Sequence, residues 1–253
     1  MGDQLLLGKT ALITGAAKRI GRETALTLAD DGVNIIVHHR SSADEAHELV
    51  REIEGMGVKA WTVRADFEKP EEYELLIERA LAVAGSLDIL VNNASIFPSE
   101  TLEDLTFDSL TSNIQVNAWV PFVLGRAFRR LVGQGKIINM LDSRIKGYDW
   151  KHVGYILSKH VLSVMTKMMA LEFAPSITVN AVAPGLILPP PGKDESYIDR
   201  MIDTVPLVRH GDPQDVADAI LYLLKSNFVT GEVIYIDGGR HLKEYIAGHK
   251  NEE

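Results

Sequence analysis

No cysteine occurs among the 253 residues. Its absence excludes disulfides, thiolate catalysis and cysteine-ligated zinc or iron–sulfur centres. The eight histidines show no HExxH or similar ligand spacing, so no metal site is expected. A basic block is also missing. Lys and Arg are scattered and the formal net charge is −9, which argues against a nucleic-acid surface. No apolar run reaches the ~18 residues of a membrane span. The opening MGDQLLLGKT has too short an apolar stretch for a secretory signal. Neither internal repeats nor low-complexity linkers are present. These absences leave a cytoplasmic, metal-free enzyme or binding protein, acting on a small molecule.

What is present is a regular alternation. Short apolar or β-branched runs (TALIT, NIIVHH, KAWTVRAD, LDILVNN, KIINML, TVNAVAP, EVIYIDGG) are separated by longer amphipathic stretches, one of them a helix from about Val153 to Phe173. Strands alternating with helices imply a parallel sheet wound by right-handed crossovers. The expected fold is α/β: one Rossmann domain over residues 1–253, a doubly wound seven-stranded parallel sheet with helices on both faces. LPPPGKDES, residues 188–196, cannot be regular because three prolines interrupt it. In such sheets the loops at the carboxyl ends of the strands form the ligand crevice. Gly15–Gly21, His38–Ser41, Asp66, Asn92–Ser95, Leu141–Ser143 and Pro184–Pro190 are therefore expected to meet at one site.

TGAAKRIG, residues 14–21, follows the first apolar run. Gly15 and Gly21 bracket a strand-to-helix turn, and a helix start offers unpaired N–H groups that suit phosphate. Two glycines alone fit a plain structural turn equally well. The end of the second strand sharpens the reading. His38-His39-Arg40-Ser41 has no acid until Asp44, whereas a cofactor lacking the 2′-phosphate usually meets Asp or Glu there. Arg40 and Ser41 can hold a phosphate through a guanidinium fork and a hydroxyl. Lys18 and Arg19 lie across the same pocket. The expected cofactor is NADPH.

Tyr155 and Lys159 form Y-x-x-x-K, and a spacing of four puts both on one helix face. A free phenol has a pKa of about 10, and a nearby ammonium would lower it toward useful acidity. The pair alone also fits an ordinary surface helix. The joint pattern is more specific. Thr14-Gly15 with Gly21, Asn92-Asn93-Ala94-Ser95, Asn117, Tyr155 with Lys159, and Pro184-Gly185 follow an ordered spacing. In this the chain resembles the short-chain dehydrogenase/reductase family from Lys9 to about Leu242. The resemblance implies Tyr155 as proton donor, Lys159 tuning it and binding the nicotinamide ribose, and Asn117 holding a relay water. It also implies cofactor contacts from Gly15, Lys18, Arg19, Ile20, Gly21, His39, Arg40, Ser41, Asp66, Asn93, Ala94, Ser95, Pro184, Gly185 and Ile187. A homotetramer or homodimer is implied too, through the stretches Leu105–Leu131 and Val153–Phe173.

Departures from the family pattern carry the substrate expectation. Where the family has serine, thirteen residues before the tyrosine, this chain has Asp142. A one-residue shift would bring Ser143 to the role, but Asp142 needs no gap. A carboxylate repels developing alkoxide and suits a substrate with N–H donors or a nitrogen to be protonated. Together with TGAAKR-x-G, H-x-R-S, NNAS followed by phenylalanine, and DGGRHL, the exchange resembles the pteridine reductases and bacterial dihydromonapterin/dihydrofolate reductases. That resemblance implies substrate contacts from Arg19, Ser95, Phe97, Asp142 and Tyr155, with Phe97 stacked on the heterocycle. The family threonine after Pro184-Gly185 is missing, and residues 189–211 are expected to form a substrate lid. A ketone reductase of the same family and a non-catalytic NADPH sensor stay open as alternatives.

Overall fold

The computed structural model describes residues 5–190, 192–194 and 196–243. Seven parallel strands form one sheet in the order β3-β2-β1-β4-β5-β6-β7. These are β1 Thr10–Ile13, β2 Asn34–His39, β3 Ala60–Arg64, β4 Ile89–Asn92, β5 Gly135–Met140, β6 Ile177–Pro184 and β7 Val233–Ile236. All seven apolar runs become strands. Every residue of β1 and β4 is buried, as expected of central parallel strands covered on both sides.

Alternation along the strands sorts the core into two layers. Ala11, Ile13, Ile35, Val37 and Val91 face one side. There they meet the apolar stripes of α1 Arg19–Asp30, α2 Ala43–Gly55 and a later helix over Pro213–Lys225. Leu12, Ile36, Leu90, Ile137 and Val179 face the other, against three helices over Leu76–Ala84, Val120–Leu131 and Val153–Phe173. In chain order the helices after α2 are α3 Pro70–Tyr73, α4 Leu76–Ala84, α5 Phe107–Ile114, α6 Val120–Leu131, α7 Val153–Phe173, α8 Ser196–Asp199 and α9 Pro213–Lys225. α9 starts on a capping box, in which Asp212 accepts from the amides of Gln214 and Asp215 while the Asp215 carboxylate accepts from the Asp212 amide.

α5 and α6 are joined by one π-helical turn, Gln115–Trp119, with Asn117 inside it. Such bulges recur at functional sites because the extra residue re-aims side chains and frees backbone groups. Of the expected lid, Pro191 lies outside the described residues, as does Glu195. The remainder packs Ile198 and Val205 on Leu186. Among the described residues no helix is long and apolar enough to cross a membrane.

Candidate active site

Because all strands run the same way, the loops after β1 to β6 open on one rim of the sheet. The first turn is built by cross-bracing. Gly15 has φ +64° and lies against Ala94, leaving a Cβ there only 3.0 Å from Ala94 Cα. The Thr14 hydroxyl accepts from the amides of Asn93 and Ala94, and Asn93 Nδ2 donates to the carbonyls of Thr14 and Gly15. Asn93 is thus a brace for the turn. Arg19 takes φ +58°, unusual for a side chain with a Cβ, and its guanidinium donates to the Pro189 carbonyl at 2.7 Å. One loop residue therefore touches the expected lid.

His38, expected at the rim but given no role by the sequence, is a second brace. Its Nδ1 accepts the Gly15 amide at 3.0 Å, so its Nε2 carries the proton and donates to the Ala65 carbonyl at 3.1 Å. Its ring stacks on Phe67. Burial, with a smaller push from His39 and Arg79 against the Ala65 bond, lowers the His38 pKa to about 4. The neutral form is favoured in the fold, so its stabilisation is complete above the unfolded value near 6.5 and is lost as pH falls toward about 4. Thermal melts should show wild type losing more stability than His38→Gln across that window. Parallel curves would remove His38 as the titrating brace.

Beside this turn lies a cleft lined by Gly15, Ala17, Lys18, His39, Arg40, Ser41 and Ser42. Lys18 pairs with Glu45 at 2.5 Å and Arg40 with Glu68 at 3.6 Å, all four side chains substantially exposed. Pairs of this kind hold together weakly and exchange readily. His39 Nδ1 is buried and has no hydrogen-bond partner among the described residues. Asp66 caps a tight turn by accepting from the Glu68 amide.

At the end of β5 the structure decides the register left open above. Tyr155 donates its hydroxyl proton to Asp142 Oδ2 at 3.0 Å, whereas Ser143 is buried beside Gly185. Asp142, not Ser143, is the partner of Tyr155. It also caps a 3₁₀ turn, Ser143–Lys146, which folds Arg144 back onto it. Arg144 gives Asp142 Oδ1 both its backbone amide and Nε, at 2.9 Å each, and gives Oδ2 its Nη2 at 2.7 Å. Its Nη1 reaches Asp149. Burial alone would raise the Asp142 pKa. The charge and hydrogen bonds of Arg144, with the Tyr155 hydroxyl, outweigh it and hold the carboxyl below its ordinary range.

Three expectations change here. Lys159 was expected to acidify Tyr155, but its ammonium donates to the Met140 carbonyl at 2.7 Å and lies 5.6 Å from the phenol ring centre. Burial, then the Asp142 charge, pushes the Tyr155 pKa well above 10, against a smaller opposing pull from Arg144. Burial also lowers Lys159 to about 8, Asp142 opposing. Asp142 was expected to receive substrate N–H groups, yet its oxygens already accept four bonds, of which only the Tyr155 bond is easily exchanged. Phe97 was expected to offer an open stacking face. Its ring instead stacks on His152 at 3.9 Å, meets Tyr155 edge-on at 4.6 Å and has the Arg144 guanidinium 5.1 Å from its centre. A heterocycle has only the remaining ring surface.

Asn117 spends its amide on the backbone of Ile96, accepting at 2.9 Å and donating at 3.1 Å, and donates to Ser158 at 3.0 Å. It positions the loop carrying Ser95 and Phe97. Pro184 ends β6, and Gly185 is required by closeness: a Cβ would stand 2.4 Å from Asp237 Cβ. Ile187 is buried beneath Gly211. Sequence reasoning missed Arg144, Asp149 and His152. The one available signal was the Asp-x-Arg spacing at Asp142 and Arg144. Among the described residues no cluster of His, Asp and Glu could hold a metal ion.

The family model described as Enoyl-(Acyl carrier protein) reductase matches residues 15–241. A short-chain type dehydrogenase/reductase of Picea abies is 32% identical, with 92% of each chain covered. The chain belongs to the short-chain dehydrogenase/reductase family. It is an oxidoreductase of that family, built on the family's Rossmann sheet. The 3-oxoacyl-[acyl-carrier-protein] reductase FabG of Staphylococcus epidermidis is also 32% identical, over 93% of this chain and all of that one. Among solved structures, the FolM alternative dihydrofolate reductase 1 of Brucella suis, in complex with NADP, superposes with a TM-score of 0.89. It is 30% identical, covering 94% of this chain and 96% of its own.

Proposed function

We propose that this chain is an NADPH-dependent reductase of a pteridine: a dihydropterin, a dihydromonapterin or a dihydrofolate-like molecule. The observation that carries the reading is the hydrogen bond from Tyr155 to Asp142, a carboxylate standing in the family's serine position. The likeness to the Brucella suis alternative dihydrofolate reductase supports it.

The cleft residues fit a cofactor bearing a 2′-phosphate. Lys18, Arg40 and Ser41 would hold that phosphate, the exposed Glu45 and Glu68 pairs giving way. His39 Nδ1, buried without a partner, fits a polar ligand atom there. Gly15, Gly21 and the first amides of α1 would hold the pyrophosphate. Asp66 and Ala94 border the same rim, and Lys159 is the cation available to a ribose. When bound, the cofactor supplies hydride.

The chain's own residues manage the proton. Tyr155 is held neutral by burial and by Asp142, so it is a donor throughout the physiological range. Its hydroxyl proton points at Asp142 Oδ2 until a substrate nitrogen takes it, leaving a phenolate beside the Arg144 and Lys159 cations. With that proton gone, the place it held at Oδ2 is the one position on the ionised Asp142 left for a substrate N–H. An N–H suits it better than a developing alkoxide. Arg19, Ser95 and the uncovered part of Phe97 border the space left for the ring.

The likeness to FabG favours a second reading, reduction of a 3-oxoacyl thioester. Purified protein assayed with dihydromonapterin, dihydrobiopterin, dihydrofolate, an acetoacetyl thioester and a diketone, each with NADPH and NADH, separates the two. Pterin turnover with NADPH preferred is expected. Thioester turnover without pterin turnover would replace the first reading by the second.

Assembly belongs to the same proposal. Leu157, Val164, Met168 and Leu171 form an exposed apolar stripe along α7, at helical spacing. The stripe supports a homodimer or homotetramer joined through this helix. Sedimentation of wild type is expected to give the mass of two or four chains, and Met168→Glu to shift it toward one.

A further inference from the structure

We infer that Arg144 is the positioning residue that makes an aspartate workable beside Tyr155: it holds Asp142 ionised and in one orientation. The inference rests on the pteridine-reductase reading for its catalytic consequence, but its electrostatic content stands on the structure alone. Arg144 supplies three of the four hydrogen bonds that Asp142 accepts, from its amide, Nε and Nη2. The fork geometry fixes the carboxylate plane, because Nε and Nη2 each address a different oxygen. Arg144 is itself held from behind. Asp149 receives its Nη1 and is anchored in turn by the amides of Lys151 and His152 and by the His152 ring. Its guanidinium lies over the rings of both Phe97 and Tyr155. Neither partner can turn away.

The charges around Asp142 show what Arg144 offsets. From the same loop come Arg144 and the second carboxylate, Asp149; from the start of α7 come the capping residue His152, then Tyr155 and the ammonium of Lys159. Without Arg144, two largely buried carboxylates, Asp142 and Asp149, lose the guanidinium that bridges them. Lys159, spent on the Met140 carbonyl, is the remaining fixed cation. Burial then dominates and drives protons onto the pair. A protonated Asp142 is a donor at one oxygen and only a neutral, weaker acceptor at the other, so the Tyr155 hydroxyl loses its charged partner and its fixed orientation.

The test compares wild type, Arg144→Gln, Arg144→Lys and the double variant Asp142→Asn/Arg144→Gln. Rates with pterin and NADPH are measured from about pH 5 to about pH 9. Arg144→Gln is expected to lower kcat about 10- to 100-fold at the acid end, recovering as pH rises, with KM for NADPH unchanged. Arg144→Lys should restore part of the loss. The double variant should show no acid limb. A loss equal at every pH, or full activity in Arg144→Gln, would overturn the inference.

Melting curves against pH give a readout that needs no substrate. In wild type the depressed Asp142 carboxyl contributes stability that is lost as pH falls. With Arg144 gone its folded pKa rises above the unfolded value, so its contribution is lost as pH rises instead. The melting-temperature gap between wild type and Arg144→Gln should therefore widen with pH, and the double variant should close part of it. A gap independent of pH, or a double variant as unstable as the single, overturns the inference even if wild type turns over no pterin. In that last case the failed assay counts against the pteridine reading alone.

Discussion

Tyr155→Phe is expected to cut turnover by about 10²- to 10⁴-fold, the span of positioned general acids, while NADPH affinity stays nearly unchanged. Phenylalanine keeps the ring where it packs, edge-on to Phe97 and beneath the Arg144 guanidinium. Only the hydroxyl and its single bond to Asp142 Oδ2 are removed. That oxygen still accepts from Arg144 Nη2, so the cost to the fold is one net hydrogen bond, about 0.5–1.5 kcal/mol. The chemistry loses more, because the ionised Asp142 has no proton to give and the Lys159 ammonium points to the Met140 carbonyl, 5.6 Å from the Tyr155 ring centre. Single-turnover rates and a fluorescence titration with NADPH separate the two quantities. Undiminished single-turnover rates would move the proton donor to another group.

Gly21→Ala should act on the other half of the site. A Cβ at Gly21 would stand 2.4 Å from the Gly15 carbonyl oxygen and 2.6 Å from Asn93 Nδ2. Both are parts of the brace around the first turn, so neither can yield without the other. Overpacking of this kind costs about 1–3 kcal/mol, equivalent to about 5- to 150-fold in affinity if the whole cost falls on the bound loop. NADPH affinity should fall within that range, with a lowered melting temperature, while kcat at saturating NADPH changes little. Unaltered NADPH affinity would mean that the turn seen here is not the phosphate-binding surface.

The architecture was legible because short continuous apolar runs and turn residues are local signals. NIIVHH and TVNAVAP can hardly be anything but buried strands, and α7 has the bounds the sequence suggested, Val153–Phe173. The contacts of the site were less legible, because they depend on a chain reversal. Arg144 reaches Asp142 because the 3₁₀ turn at Ser143–Lys146 folds i+2 back onto i. A strand would put the two on one face but too far apart to pair, and a helix would put them on different faces. Lys159 lies one turn from Tyr155 on the same helix, yet a carbonyl at the end of β5 offers its ammonium a closer partner. Asn117 sits in a π turn, so its aim could not be read from a period of 3.6. Phe97 and His152 are 55 positions apart in the chain and stack because an isolated bridge joins Glu100 to His152.

The placement of β1 between β2 and β4 bears on how the molecule comes to exist at all. Parallel neighbours cannot be joined by a tight turn, and β1 gains its second neighbour only with Ile89–Asn92. The Thr10 amide and the Lys9 ammonium both reach across that interval to Asp88. A nascent chain that has not yet delivered Asp88 holds β1 with one edge open, and after β4 each later strand extends the sheet outward as far as β7. Loop closure over such distances is paid for before the contacts repay it. The first third of the chain therefore waits on the ribosome, exposed to misassembly, until the middle of the sheet can close.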